Sequence, residues 1–416
     1  MREDIKKRIE AVRYGEAPEG YTETAAGYIP ADWNSAPLSG ISEVLSEQAG
    51  DREFETLSIS AGIGFVNQAE KFGKELSGKQ YTKYTVLRRG DFAYNKGNSK
   101  RYPQGCTYML RERDEAAVPN VFECFRITQG HPEYYEQLFI NGFMNKQLTR
   151  KINHGVRDDG LLNLTDEDFY STVFPIPPLV EQQKIAEILA TCDRAIELKQ
   201  QLLEEKRRQK QWLRQRLLVP QQGWRKTTIG QIALVTTGAT PDTKHSEYWS
   251  GNIRWMNSGE LNLKHVYEVE GRITDVGLKK SGTKLIPINC VLIGLAGQGK
   301  TRGTAAINHV ELCTNQSIAA IHPGDHFDSE YLYHYLDSKY LELRKISSGD
   351  GARGGLNLDL IEGFIVYLPD FETQRRIAAV LTVADEELLL LEQECDMWMQ
   401  KKKALMQLLL TGLVRV

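Results

Sequence analysis

The sequence predicts an α+β chain with a pseudo-twofold internal repeat: two mixed α/β domains separated by two long antiparallel coiled-coil helices. Three observations predict it. The second half of the chain repeats the plan of the first, each copy ends in a heptad-patterned helix, and each copy has short strand-like runs opening into Gly-rich polar loops.

The repeat is clearest after Pro177 and Pro369. There EQQKIAEILATCD (181–193) lies over TQRRIAAVLTVAD (373–385) with a constant shift of 192. Upstream, LLNLTDEDF resembles GLNLDLIEGF, and PEYYEQLF resembles SEYLYHYL. Each copy opens with a Trp after a Pro, Trp33 after Pro30 and Trp224 after Pro220. Each also steps from a strand-like run into a Gly-rich loop, GDFAYNKGNSKRYPQG in one and CVLIGLAGQGKTRG in the other.

The helices follow from spacing. A 4,3,4,3 pattern runs through Ile185, Leu189, Cys192, Ile196, Lys199, Leu203, Lys206, Lys210, Leu213 and Leu217. It recurs through Ile377, Leu381, Ala384, Leu388, Leu391, Cys395, Trp398, Lys402, Leu405 and Leu409. Neither stretch contains Gly or Pro, so each reads as one helix with a seam for a partner, about 55 Å long. Lys at a seam position weakens the core locally, while its stem can reach out to water. Only VPQQGW joins the first helix to the second copy, so a second helix pairing with the first must run back along it. That places Val416 near the chain start, where the helical pattern Ile5, Ile9, Val12 can dock. The expected divisions are an N-terminal arm with a short helix (1–29), a first domain (30–176), a first long helix (177–219), a second domain (220–368) and a second long helix (369–416).

Within the domains, β-branched and aromatic runs at 56–60, 84–86, 92–94, 121–127, 252–256, 291–295 and 317–321 read as strands. Segments 134–153 and 329–346 read as helices, giving a twisted sheet with flanking helices in each copy. With 41% hydrophobic residues in 416, the chain has material for two or three cores. No apolar run approaches the roughly 18 residues of a membrane helix. The opening MREDIKKRIEAVRYGE lacks a signal-peptide apolar core, and a cytoplasmic protein is expected. The six cysteines form no CxxC pair, so neither a zinc site nor a disulfide framework is implied, the eight histidines show no metal-ligand spacing, and no metal site is expected. Net charge is −3, so binding to a polyanion needs local cations, and Lys and Arg do bunch at 88–101, 206–226 and 279–302.

This ordered set resembles the specificity (S) subunit of type I restriction–modification enzymes over nearly the whole chain. The resemblance rests on GYTETAAGYIPADW, PIPPLVEQQKIAEIL, the closing LMQLLLTGLVRV and the doubled domain-plus-helix plan. One departure is that the first helix ends LRQRLLVPQQGW, without the TG of the closing version. The resemblance implies a non-catalytic subunit with two target-recognition domains that read a split double-stranded DNA sequence. It also implies two methyltransferase (modification) subunits and restriction subunits as partners, with S-adenosylmethionine, ATP and Mg belonging to those partners and none to this chain.

The residue types suit that task, since cations neutralise phosphates while Asn, Gln and Arg read base edges. Candidates in the first copy are Asn67, Gln68, Lys71, Lys96, Asn98, Lys100, Arg101, Tyr102 and Arg157. In the second they are Asn257, Ser258, Gln298, Lys300, Arg302, Asn315, Gln316 and Arg353. Residues 294–301 match the phosphate-loop pattern GxxxxGK[ST]. A β-branched run follows where a nucleotide-binding loop needs a helix, so a phosphate nest for DNA is the better reading. No methyltransferase signature [DN]PP[YF] and no Ser/His/Asp set can be assembled. The two domains differ in sequence, so unlike half-sites are expected.

Overall fold

The structure is a computed structural model that describes residues 3–72, 78–97, 102–152, 162–297, 301–347 and 355–416. The chain divides into two compact units, 1–199 with 394–416, and 200–393. No helix among the described residues is long and apolar enough to cross a membrane.

The first unit contains β1 (Asn34–Pro37), β2 (Ser42–Val44), β3 (Phe92–Asn95), β4 (Cys106–Met109), β5 (Glu123–Ile127) and β6 (Val173–Ile176). β2, β5, β3 and β4 form an antiparallel sheet in that order, and β1 pairs with β6. Hairpin Leu57–Ser60/Gly64–Asn67 and the pair Thr85–Arg88/Glu115–Val118 sit beside it. Aromatic rings fill the centre: Phe92 stacks on Phe125 at 5.3 Å, and Tyr94 on Phe169 at 4.3 Å. Helix Pro132–Ile140 covers them. The helix expected over 134–153 is broken, with a turn around Gly142 separating Pro132–Ile140 from Asn145–Lys151.

The second unit contains β7 (Arg225–Thr228), β8 (Val235–Thr237), β9 (Trp249–Met256), β10 (His265–Val266), β11 (Val291–Gly294), β12 (Ala305–Asn308), β13 (Leu312–Thr314), β14 (Ile318–Ile321) and β15 (Ile365–Leu368). Its main sheet runs β8-β14-β11-β12-β10, the first unit's order with one strand added at the edge. β7 pairs with β15 as β1 pairs with β6. A second sheet joins Arg272–Ile273, β9, β13 and Leu285–Ile286. The helix expected over 329–346 also breaks, into Ser329–Ser338 and Tyr340–Ile346.

The long helices are Leu179–Leu217 and Phe371–Leu410. The first starts directly after Pro177–Pro178, where missing N–H groups are harmless. The second is capped by Asp370, whose Oδ1 accepts the Thr373 N–H at 2.9 Å. In both copies one buried Gln fastens the helix start. Gln182 accepts the His131 N–H (2.8 Å) and donates to the Pro177 carbonyl (2.8 Å), while Gln374 accepts the Asp328 N–H (2.9 Å) and donates to the Pro369 carbonyl (2.9 Å).

Each unit's core takes the start of one long helix and the end of the other. Ile185 and Leu189 pack with Met406, Leu409 and Leu410 in the first unit. Ile377 and Leu381 share a core with Leu213 and Leu217 in the second. Ile185, Leu189, Leu203, Ile377, Leu381 and Leu409 are buried; Ile196, Leu213, Leu388, Leu391 and Leu405 are half-buried. Each fully buried aliphatic side chain contributes about 1.5–3 kcal/mol.

The helices run antiparallel within each unit. Asp193 pairs with Lys402 (2.5 Å) and Lys199 with Glu394 (2.5 Å) in the first; Lys206 pairs with Glu387 (2.7 Å) and Lys210 with Asp385 in the second. Every seam lysine thus meets an acid on the opposite helix. The chain end lies against the chain start, as connectivity requires. Tyr21 donates to the Gly412 carbonyl (2.6 Å), Arg8 to that of Leu413 (3.2 Å), and Arg415 grips Asp32 and Glu181. The TG closing motif has a backbone reason: Gly412 has φ of 70°, and a Cβ there would stand 2.4 Å from Pro30 Cγ. In helix Glu3–Arg13, Ile5 and Ile9 are half-buried while Val12 is exposed.

Candidate nucleic-acid interface

In the second unit, parallel strands bring two candidate segments together. β9 pairs with β13 through Trp255↔Cys313 and Met256↔Thr314, so both chains leave the sheet at the same end. Asn257–Ser258 and Asn315–Gln316 therefore emerge side by side, and the Asn315 N–H donates to the Met256 carbonyl at 3.0 Å.

Local hydrogen bonds shape both turns. Asn257 Oδ1 accepts the Gly259 N–H (2.8 Å) and its Nδ2 donates to Glu260 Oε2 (2.8 Å), capping the turn Ser258–Leu263. Asn315 Oδ1 accepts the Ser317 N–H (3.0 Å). Gln316 is exposed, its Oε1 accepting the Thr240 hydroxyl proton at 2.7 Å.

Two neighbours were not singled out from sequence. One is the turn Gly238–Ala239–Thr240, pressed so closely on the strand end that a Cβ on Gly238 would lie 1.8 Å from the Thr314 carbonyl oxygen. Trp255 Nε1 holds it by donating to the Ala239 carbonyl at 3.0 Å. The other is exposed Lys284, next to Thr283, whose hydroxyl donates to the same Thr314 carbonyl at 3.0 Å. A polar TTGATP run at the end of a strand was the available signal for the first. Lys284 lay inside the basic bunch 279–302 without a motif. Asn257, Asn315, Gln316, Thr240 and Lys284 thus form one polar edge carrying amide groups and a cation.

Arg302 is half-buried, with its carbonyl accepting from Arg344 at 3.2 Å. After Thr301 the chain enters β12, a strand, so the described part of the phosphate-loop match lacks the helix that motif requires.

The first unit corrects several expectations. Gln68 is buried and donates to the Tyr84 hydroxyl at 3.3 Å, which removes it from any outer surface. Lys96 is also buried, its ammonium between Glu123 (2.8 Å) and Asp166 (2.6 Å). Burial works against that ammonium, but the two carboxylates outweigh it and raise its pKa. Burial in turn raises Glu123, with Lys96 opposing.

Asn67 caps helix Gln68–Phe72 through the Ala69 N–H (2.8 Å) and donates to Glu55 (3.0 Å). Lys71 lies in that helix. Tyr102 packs, half-buried, on the apolar cluster containing Leu57 and Ile59. Asn98, Lys100, Arg101, Arg157, Gln298, Lys300 and Arg353 fall outside the described residues. The basic bunch 206–226 is largely engaged within the second unit: Lys206, Arg207 and Lys210 pair with Glu387, Glu392 and Asp385, and Arg214 with Asp337.

Comparison with known proteins agrees with this architecture. The chain is 32% identical to the specificity subunit of the type I restriction enzyme MjaIX of Methanocaldococcus jannaschii, over 39% of this chain and 38% of that one. It is 22% identical to the putative MjaX specificity subunit of the same organism, over 96% of this chain and 97% of that one. It therefore spans about two fifths of the first relative's length and nearly all of the second's. A type I restriction-modification system S subunit from M. genitalium has the same fold, with a TM-score of 0.58 at 12% identity, covering 91% of this chain and 96% of that one. The family model described as Type I restriction modification DNA specificity domain matches residues 124–206 and 221–395, more than half of the chain and parts of both copies, and the chain belongs to that family.

Proposed function

We propose that this chain is the DNA-recognition subunit of a type I restriction–modification assembly working in the cytoplasm. It reads a split double-stranded target, one half per copy, and has no catalytic site of its own. It holds two methyltransferase subunits, to which restriction subunits join, and S-adenosylmethionine, ATP and Mg act in those partners. The observation that carries this reading is the family match falling on both copies of a doubled plan.

The polar edge of the second unit supports it. Amide side chains at Asn257, Asn315 and Gln316 match the donor–acceptor pairs of base edges, and Lys284 supplies a phosphate contact. In the first unit, the remaining candidates are Asn67, Lys71, Tyr102, Asn98, Lys100, Arg101 and Arg157. Ser258, Gln298, Lys300, Arg302 and Arg353 complete the proposed set for the second.

The test is equilibrium binding of the chain, assembled with its methyltransferase subunits, to DNA fragments of varied sequence and at varied salt. The expected result is sequence-dependent affinity falling steeply with salt, by about 10³–10⁵ between roughly 50 and 200 mM for 6–10 phosphate contacts. Affinity indifferent to both sequence and salt would leave only a protein-binding scaffold.

A further inference from the structure

The sheet edge of the second unit holds a titratable cluster outside the polar edge described above. β10 lies parallel to β12, with His265 opposite Ile307, and the His309 N–H donates to the Val266 carbonyl at 2.9 Å. This sets two imidazoles edge to edge and nearly coplanar, their planes 6° apart, with Nδ1 of His265 hydrogen-bonded to Nε2 of His309 at 3.0 Å. Glu330, in the first turn of helix Ser329–Ser338, brings Oε1 to 3.9 Å from the same Nε2. One ligand atom from each residue lies within 4.8 Å of the other two, and all three residues are half-buried.

We propose that His265, His309 and Glu330 bind a divalent transition-metal ion, zinc foremost, which ties the sheet edge to the helix.

The donor set is the first argument. Two imidazole nitrogens and a carboxylate oxygen are a zinc-type set that leaves a coordination position for water. With bonds of about 2.0–2.1 Å, tetrahedral ligand atoms stand roughly 3.3–3.4 Å apart, a value bracketed by the separations present.

The second argument is unmet polarity. Glu330 Oε2 is buried without a hydrogen-bond partner. The two histidines are 44 residues apart in sequence, which hides them from any spacing rule. His265 also closely follows the turn that begins at Asn257, so an ion here steadies one of the segments of the polar edge.

The experiment uses the untagged full chain, stripped with EDTA and titrated with Zn²⁺ or Co²⁺. Wild type is expected to bind one equivalent, to melt at a higher temperature with zinc, and to show visible Co²⁺ bands. His309→Ala and Glu330→Gln are expected to weaken zinc by more than the roughly 10–100-fold typical of losing an outer-shell partner, and to abolish the bands. His245→Ala, at an exposed histidine elsewhere in the unit, keeps both responses. Melting in EDTA separates lost binding from lost folding, and His309→Gln serves if the Ala variant does not fold. Wild type without zinc affinity or Co²⁺ bands, or folded variants that bind as wild type does, would overturn the proposal.

Discussion

The two units solve one structural problem in opposite ways. In the first, Lys96 leaves β3 and meets Glu123 of β5 and Asp166 at a helix start. In the second, the matching positions hold Leu295, Ala319 and, as first residue of helix Leu358–Glu362 where Asp166 opens helix Asp166–Tyr170, Leu358. The equivalence rests on shared backbone bonds: the Leu162 N–H donates to the Lys96 carbonyl (2.9 Å) as the Leu356 N–H donates to that of Leu295 (2.9 Å). Glu123 faces Tyr94 across the sheet as Ala319 faces Ile293. A salt-bridged trio and an apolar trio therefore occupy the same place in one scaffold. Backbone pairing and the glutamine latches define the repeat, while interior chemistry is free to differ.

The comparison can be broken most directly at Lys96. Lys96→Ala leaves the half-buried Glu123 without its cation, and we expect a loss of about 3 kcal/mol in denaturant unfolding, the low end for a buried pair. Transplanting the second unit's solution, as Lys96→Leu with Glu123→Ala and Asp166→Leu, should be neutral or stabilising by up to about 4 kcal/mol. A transplant as damaging as the single change would mean that the two sites are not equivalent.

A smaller effect concerns reading. Asn315→Ala should weaken binding to one half of the target by about 1–3 kcal/mol and relax preference there, without touching the other half. Lys284→Ala should weaken all sequences alike and lower the salt slope by about one.

The units should also differ in acid. His334, buried in the second unit, is pulled down to about 3, by burial first and by Lys210 next. Its neutral form is favoured in the fold, so the contribution is complete above the unfolded value of about 6.5 and lost as pH falls toward 3. We expect stability to fall by about 1.4 kcal/mol per pH unit from this group across that window. His334→Gln should remove that part of the slope.

How much was legible in the sequence depended on the kind of signal. Periodicity located the seam, because a heptad states which face is covered whatever covers it. It left the seam lysines unexplained, since their acids Asp193, Glu387, Glu394 and Asp385 are distant in sequence. The repeat gave the domain plan, but residue type did not give direction. Gln68 and Lys96 had suitable chemistry for DNA, yet both turn inward. The second unit's polar edge was half legible: Asn257, Asn315 and Gln316 were candidates, whereas the parallel pairing that gathers them is a tertiary fact.

The most direct test of modular reading is to exchange residues 30–175 for those of a relative with a different target and map the modified sites in host DNA. The account predicts that one half of the split target changes while the other stays as it was. A change in both halves, or in neither, would contradict it.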